Sequence, residues 1–195
     1  MVKIKSVNRW IGLLSLLVIS LMLLAPPSRE SVVDTDSTGF NSKPLSSAPV
    51  EITTNDGYGS FSSQGDGTSG NRYIIENRAF NAEGGLYALR IRGVSAYVTF
   101  RNVTFYGTTL DNVIDPVLDL RRYDIAAVQI ENSRNIIFER CTFRNSFNGI
   151  YINSSSQEIT INNNAFYDLA YAGVHLVSSP YKVDIVYNRV YRVGE

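Results

Sequence analysis

Apolar residues recur through most of the chain in one short figure: an apolar residue, any residue, a second apolar residue, and a third apolar residue five places on. The figure occurs as Tyr73/Ile75/Phe80, Val98/Phe100/Phe105, Ile136/Phe138/Phe143, Ile159/Ile161/Phe166 and Val183/Ile185/Val190. Its middle positions, 75, 100, 138, 161 and 185, are separated by steps of 25, 38, 23 and 24 residues. A shorter apolar pair precedes most copies: Leu89/Ile91, Val128/Ile130, Ile150/Ile152 and Val174/Leu176. The clearest stretch runs from Gly149 to Gly194, where Ile150, Ile152, Ile159, Ile161, Asn164 and Phe166 return 24 residues later as Val174, Leu176, Val183, Ile185, Asn188 and Val190.

Alternation of apolar and other residues over a few positions predicts strands rather than helices. Clusters of Asn and Gly between them supply turns. A period in the low twenties is that of a solenoid. Two or three short strands per repeat, always coiling the same way, predict an all-β parallel β-helix of about five coils spanning 64–195. Coils stack at the strand spacing of about 4.8 Å, so equivalent side chains form ladders. One ladder, Arg78, Val103, Cys141, Asn164 and Asn188, falls where the chain must bend. An inward Asn there is expected to hydrogen-bond the turn backbone above and below it and to tolerate a left-handed conformation. Cys141 is expected to pack in the core. The long step hides an insertion at about 107–127 that leaves the solenoid as a loop.

The N-terminal part breaks the pattern. Residues 1–25 read as a signal peptide or N-terminal anchor: Lys3, Lys5 and Arg9 precede the apolar run Ile11–Leu24, and Ala25 offers a small residue for cleavage. Residues 26–63 are rich in Ser, Thr, Pro, Asp and Gly and read as a flexible linker. Val50–Phe61 is placed to fold over the open first coil, because solenoid ends need a cap. At the other end the chain stops at Glu195 just after a complete coil. The expectation there is an uncapped or truncated end whose unpaired strand edges invite end-to-end self-association.

The opening GDGTSGNRYIIEN, Gly65–Asn77, and the INNNAF-type turns resemble the pectate-lyase-like superfamily of right-handed parallel β-helices. The style is similar to the β-helix repeat proteins grouped with the periplasmic copper-processing protein of nitrous-oxide reductase maturation. The resemblance covers roughly Gly65–Gly194, with Arg72 standing where a Pro is usual. It implies a right-handed fold that hosts lyases, hydrolases, epimerases, adhesins and structural modules alike. It also implies that carbohydrate lies along the first strand face, in a groove flanked by inserted loops.

On that face, alternation turns the apolar members inward. The outward ladders are then Arg90/Gln129/Tyr151/His175 and Arg92/Glu131/Asn153/Val177. Arg90, Arg92, Gln129, Glu131, Tyr151, Asn153 and His175 are the candidate ligand-binding residues, with a polysaccharide or surface glycan as partner. An ordinary solvated sheet face is the competing reading. No catalytic residue is assigned. A glycosidase needs two flanking carboxylates, and this face offers Glu131; the Asn-Thr-Asp, Asp-Asp and Gly-His-Gly motifs of polygalacturonases are absent. The single histidine and cysteine, with both methionines in the leader, do not suit copper handling. No cofactor is expected, with calcium left open at Asp111, Asp115 and Asp119 in the insertion, whose four-residue spacing lacks the order of a known calcium loop.

Charge narrows the partners further. Lys plus Arg and Asp plus Glu are 18 each, so the net charge is zero. That disfavours nucleic acid as a partner, and contact with a membrane is expected only through residues 1–25. The expected location is extracellular, cell-surface or periplasmic. Three readings stand: an exported carbohydrate-binding or cell-surface module, a polysaccharide lyase or glycosidase with an incomplete active part, and a structural solenoid.

Overall fold

The computed structural model describes residues 44–46, 48–110 and 123–194. The leader, half of the linker and the calcium candidates Asp111, Asp115 and Asp119 lie outside these residues. Twelve strands follow in order: β1 (Pro44–Ser46), β2 (Val50–Ile52), β3 (Tyr73–Asn81), β4 (Tyr87–Arg92), β5 (Val98–Tyr106), β6 (Ala126–Glu131), β7 (Arg134–Glu139), β8 (Thr142–Asn153), β9 (Gln157–Asn162), β10 (Ala165–Leu176), β11 (Tyr181–Val186) and β12 (Arg189–Val193). They form a parallel β-solenoid of about five turns.

Every named strand pairs in parallel with the one a coil away, and the pairs sort into three faces. The first face is β2–β4–β6 and the C-terminal halves of β8 and β10, in the register Val50, Leu89, Val128, Ile150, Val174. The second joins β3, β5, β7, β9 and β11 through Ile75, Phe100, Phe138, Ile161 and Ile185. The third joins β3, β5, β8, β10 and β12 through Phe80, Phe105, Phe143, Phe166 and Val190. The apolar figure of the sequence is thus the inward row of the second and third faces.

Stacking at one strand spacing explains why the repeat is so rich in aromatics. Phe80, Phe105, Phe143 and Phe166 lie face to face with centroids 5.3, 5.2 and 4.7 Å apart. Phe100 and Phe138 stack at 5.0 Å beside them and meet the first column edge-on. All six rings are 1% exposed or less. Burying a side chain of this size contributes roughly 1.5–3 kcal/mol, before the gain from ring geometry.

The corners are built from left-handed residues in columns. Asn77, Asn102, Arg140, Asn163 and Tyr187, with φ between 50° and 57°, turn the chain from the second face to the third. Gly93, Asn132, Ser154 and Ser178 turn it off the first face. Each residue with a Cβ costs about 1–2 kcal/mol in this conformation, a cost the stacked core offsets. The Asn ladder makes the expected hydrogen bonds to the turn backbone, but the left-handed conformation falls on the residue before it. The bend falls on Asn163, while Asn164 turns its amide inward, where it donates to the Phe138 carbonyl at 3.1 Å and accepts from the Cys141 N–H at 2.8 Å. Asn188 repeats this one coil on, donating to the Ile161 carbonyl and accepting from the Asn164 N–H, both at 2.8 Å. Cys141 holds the same place with a packed thiol, whose pKa burial pushes up to about 12.

Gly149 sits where backbone and ring come closest. A Cβ there would lie 2.5 Å from the Gly173 carbonyl oxygen and 2.6 Å from the Phe166 ring. At the N-terminal end, β2 pairs with β4, and a 3-10 segment, Asn55–Ser60, crosses the first coil. It brings the fully buried Tyr58 against Tyr73 and Phe100. The Asn55 side-chain oxygen Oδ1 accepts from the Ser95 and Ala96 N–H groups at 2.8 and 2.9 Å and pins the segment down. The half-buried Arg72 spans three successive coils at this end, donating to the carbonyls of Val98 and Asn135 at 2.9 and 2.6 Å.

Candidate functional site

The first face carries the polar ladders in the expected register: Arg90 beside Gln129, Tyr151 and His175, and Arg92 beside Glu131 and Asn153. The Val177 N–H donates to the Ile152 carbonyl, which keeps its end of the ladder in line. Their exposure differs from that of an open groove. Gln129 is 2% exposed and Tyr151 7%. The cause is the limb of chain returning from the insertion. Gln129 donates its amide N–H to the Asp124 carbonyl at 2.6 Å and to the Leu86 carbonyl at 3.2 Å. Asn148 donates to the carbonyls of Tyr123 and Ile125 at 2.9 and 2.8 Å. Two amides therefore hold the limb against the face, and the middle of the first ladder is covered. Burial, with the charges of Asp124 and Glu131, raises the Tyr151 pKa.

The other half of the face is an ion-pair network. The Arg90 guanidinium donates to Glu131 at 2.7 Å and lies 3.9 Å from Glu51; Arg92 donates to the second Glu131 oxygen at 3.1 Å. Burial would lower the Arg90 pKa, but Glu131 and Glu51 outweigh it and hold the group above its usual range. A carboxylate bridging two guanidinium groups has its lone pairs committed. Glu131 is thus poorly placed to carry a proton to or from a substrate. Asn153 is half-buried, and its side-chain oxygen accepts from the Ser154 N–H at 2.6 Å, closing the corner.

What alternation did not reveal is an aromatic corner where the third face turns into the first. Phe147 and Tyr171 occupy equivalent places in consecutive coils and stack at 5.5 Å, 6° from parallel. Tyr123, on the returning limb, leans on both at 6.5 and 5.4 Å. His175 meets Tyr171 at 5.5 Å and Tyr151 at 5.4 Å, the latter edge to face. Tyr171 remains 46% exposed and Tyr123 42%. The Nδ1 of His175 is buried without a protein partner. The signal was present in the sequence: positions 147 and 171 differ by 24, one repeat, and both are aromatic.

Among the described residues no group of three or more His, Cys, Asp or Glu side chains is arranged to hold a metal ion, and no helix is long and apolar enough to cross a membrane. The described face offers ring faces, a histidine and amides over a hydrogen-bonded sheet.

These coils and ladders define a repeat protein of the parallel β-solenoid class. The model of the right-handed β-helix region matches residues 47–194, most of the chain, and the protein belongs to that family. Neither a curated protein nor a solved structure matches it.

Proposed function

We propose that this β-helix repeat protein is an exported, non-catalytic module that binds a polysaccharide at the aromatic corner of its first face. The observation that carries the reading is the exposed pair Tyr123 and Tyr171, held rigid by Phe147 and flanked by His175. Aromatic rings offer large, stiff, amphipathic contact surfaces at low entropic cost, and the C–H face of a pyranose ring is a fitting partner. Arg92, Asn153 and His175 lie within the same face to meet hydroxyls. Glu131 is tied to two arginines, which favours binding over hydrolysis. Export rests on the apolar leader Ile11–Leu24.

Retention of the full chain on immobilised polysaccharides tests this directly. Saturable retention on one class, cut at least tenfold by Tyr171→Ala with the melting temperature kept, is the expected result. Equal retention of Tyr171→Ala and Tyr123→Ala, or none on any polysaccharide, overturns the site.

A second reading, a solenoid that assembles with further copies, has one observation in its favour. Ile185 and Val190 are 45% and 59% exposed, although their counterparts one coil below, Ile161 and Phe166, are buried. Sedimentation at rising concentration separates the readings, because self-association through this edge would be weakened by Ile185→Asp and not by Tyr171→Ala.

A further inference from the structure

We propose that a corner cleft beyond the first face binds a small oxyanion, the carboxylate or sulfate group of a larger ligand, with Arg134 as its charged anchor. The cleft has a volume of about 310 Å³ and opens where the chain leaves β4, β6 and β8 for the second face. Arg134, Asn132, Ser155 and Gln157 line it.

Its donors are uncommitted and line one cleft together. Many cations elsewhere on the described surface are engaged: Arg90 and Arg92 by Glu131, Arg101 by Glu139, Lys182 by Glu158 and Arg192 by Asp168. Arg144 lies over the Tyr106 ring. Arg134 is exposed and has no carboxylate within ion-pair reach among the described residues, yet it lines a cleft. The side chains of Asn132, Ser155 and Gln157 likewise have no protein partner there. By contrast, the two buried hydroxyls beneath are spent on structure. Ser133 donates to the Glu131 carbonyl at 2.8 Å, and Ser156 to the Asn153 carbonyl at 2.8 Å.

The backbone that frames these donors is rigid. Asn132 stands in the left-handed corner column at φ 47°. The Arg134 N–H donates to the Val94 carbonyl and the Gln157 N–H to the Ser133 carbonyl, both at 3.0 Å. Arg134 and Gln157 are paired across adjacent coils, so their side chains emerge about one strand spacing apart. A guanidinium fork meets two oxygens of a planar or tetrahedral anion at once. An amide and a hydroxyl at that spacing supply further donors to the remaining oxygens.

The cleft shares no residue with the aromatic corner, and the inference stands without the glycan reading. The test is a titration of the full-length chain, followed by amide 1H–15N shifts, with sodium sulfate and with sodium acetate at constant ionic strength set by chloride. Saturable shifts at Asn132, Arg134, Ser155 and Gln157 are expected. Arg134→Gln should weaken them at least tenfold and Gln157→Ala a few-fold. Tighter sulfate assigns a sulfate ester, tighter acetate a carboxylate. Linear, unsaturated shifts, or saturation unchanged in Arg134→Gln, overturn the proposal. Tyr171→Ala should leave the titration as it was, so loss of polysaccharide retention and loss of anion binding report separately.

Discussion

Two aromatic stacks in this molecule obey the same period and end differently. Phe143 and Phe166 stack at 4.7 Å inside the coil, and Phe147 and Tyr171 stack at 5.5 Å on its corner. Both pairs are nearly parallel, 8° and 6°. The inner pair continues through Phe105 and Phe80 toward the N-terminal coils and is closed to water. The outer pair meets the returning limb instead, and Tyr171 keeps nearly half its surface. Periodicity alone does not say which ladder is closed into the core and which stays open to solvent. The difference lies in whether the column is continued by the next coil or interrupted.

The comparison can be broken at its strong end first. Phe143→Ala removes one ring from the closed column and should cost about 3–5 kcal/mol, the usual range for a buried Phe; thermal or urea unfolding reads it. A cost under 1 kcal/mol would mean that the column is not continuous. Gly149→Ala probes the contact between column and backbone. With a Cβ set 2.5 Å from the Gly173 oxygen, overpacking should destabilise by about 1–3 kcal/mol.

Alkaline pH sharpens the contrast between inside and outside. Cys141 has an ordinary pKa of 9.0 and a folded value of about 12. The neutral thiol is favoured in the fold, so its contribution is fully present below pH 9.0 and is lost as pH rises toward about 12. The slope in that window is up to about 1.4 kcal/mol per pH unit for this group. Cys141→Val, which installs the residue the ladder already has at Val103, should flatten the stability profile above pH 9.0 and leave it unchanged at neutral pH. A profile equally steep in the variant would refute the assignment. The smallest expected stability effect is at the open end of the comparison. Tyr171→Ala should shift unfolding by less than about 1 kcal/mol while removing polysaccharide retention.

Much of the fold was legible because inward residues report the period directly. Ile75, Phe100, Phe138, Ile161 and Ile185, picked out by alternation, are register partners in the second face. The ladder Arg90, Gln129, Tyr151 and His175 is likewise in register. Exposure was not legible. Alternation tells which side of a strand a residue takes, and it is silent on a distant limb crossing that side. Gln129 and Tyr151 are outward in the pleat and buried all the same, because Tyr123 and Asp124 return over them. The left-handed conformation, expected on the Asn ladder itself, falls one residue earlier for a related reason. A corner needs one residue with positive φ and a neighbour whose side chain fills the inside of the bend, and at Asn163–Asn164 both are Asn.

The left-handed corners also make the molecule a ruler. Each coil returns to the same corner after 23 to 25 residues when nothing is inserted. Removing or adding one such coil would leave every remaining ladder in register and change the length by about 4.8 Å. A single-residue deletion inside a strand would instead turn Phe and Ile outward for the rest of that strand. Growth in whole coils is therefore nearly free of strain, while extra chain of any other length must leave through a corner. The insertion falls between β5 and β6, and Tyr123, where the described chain resumes, completes the aromatic corner.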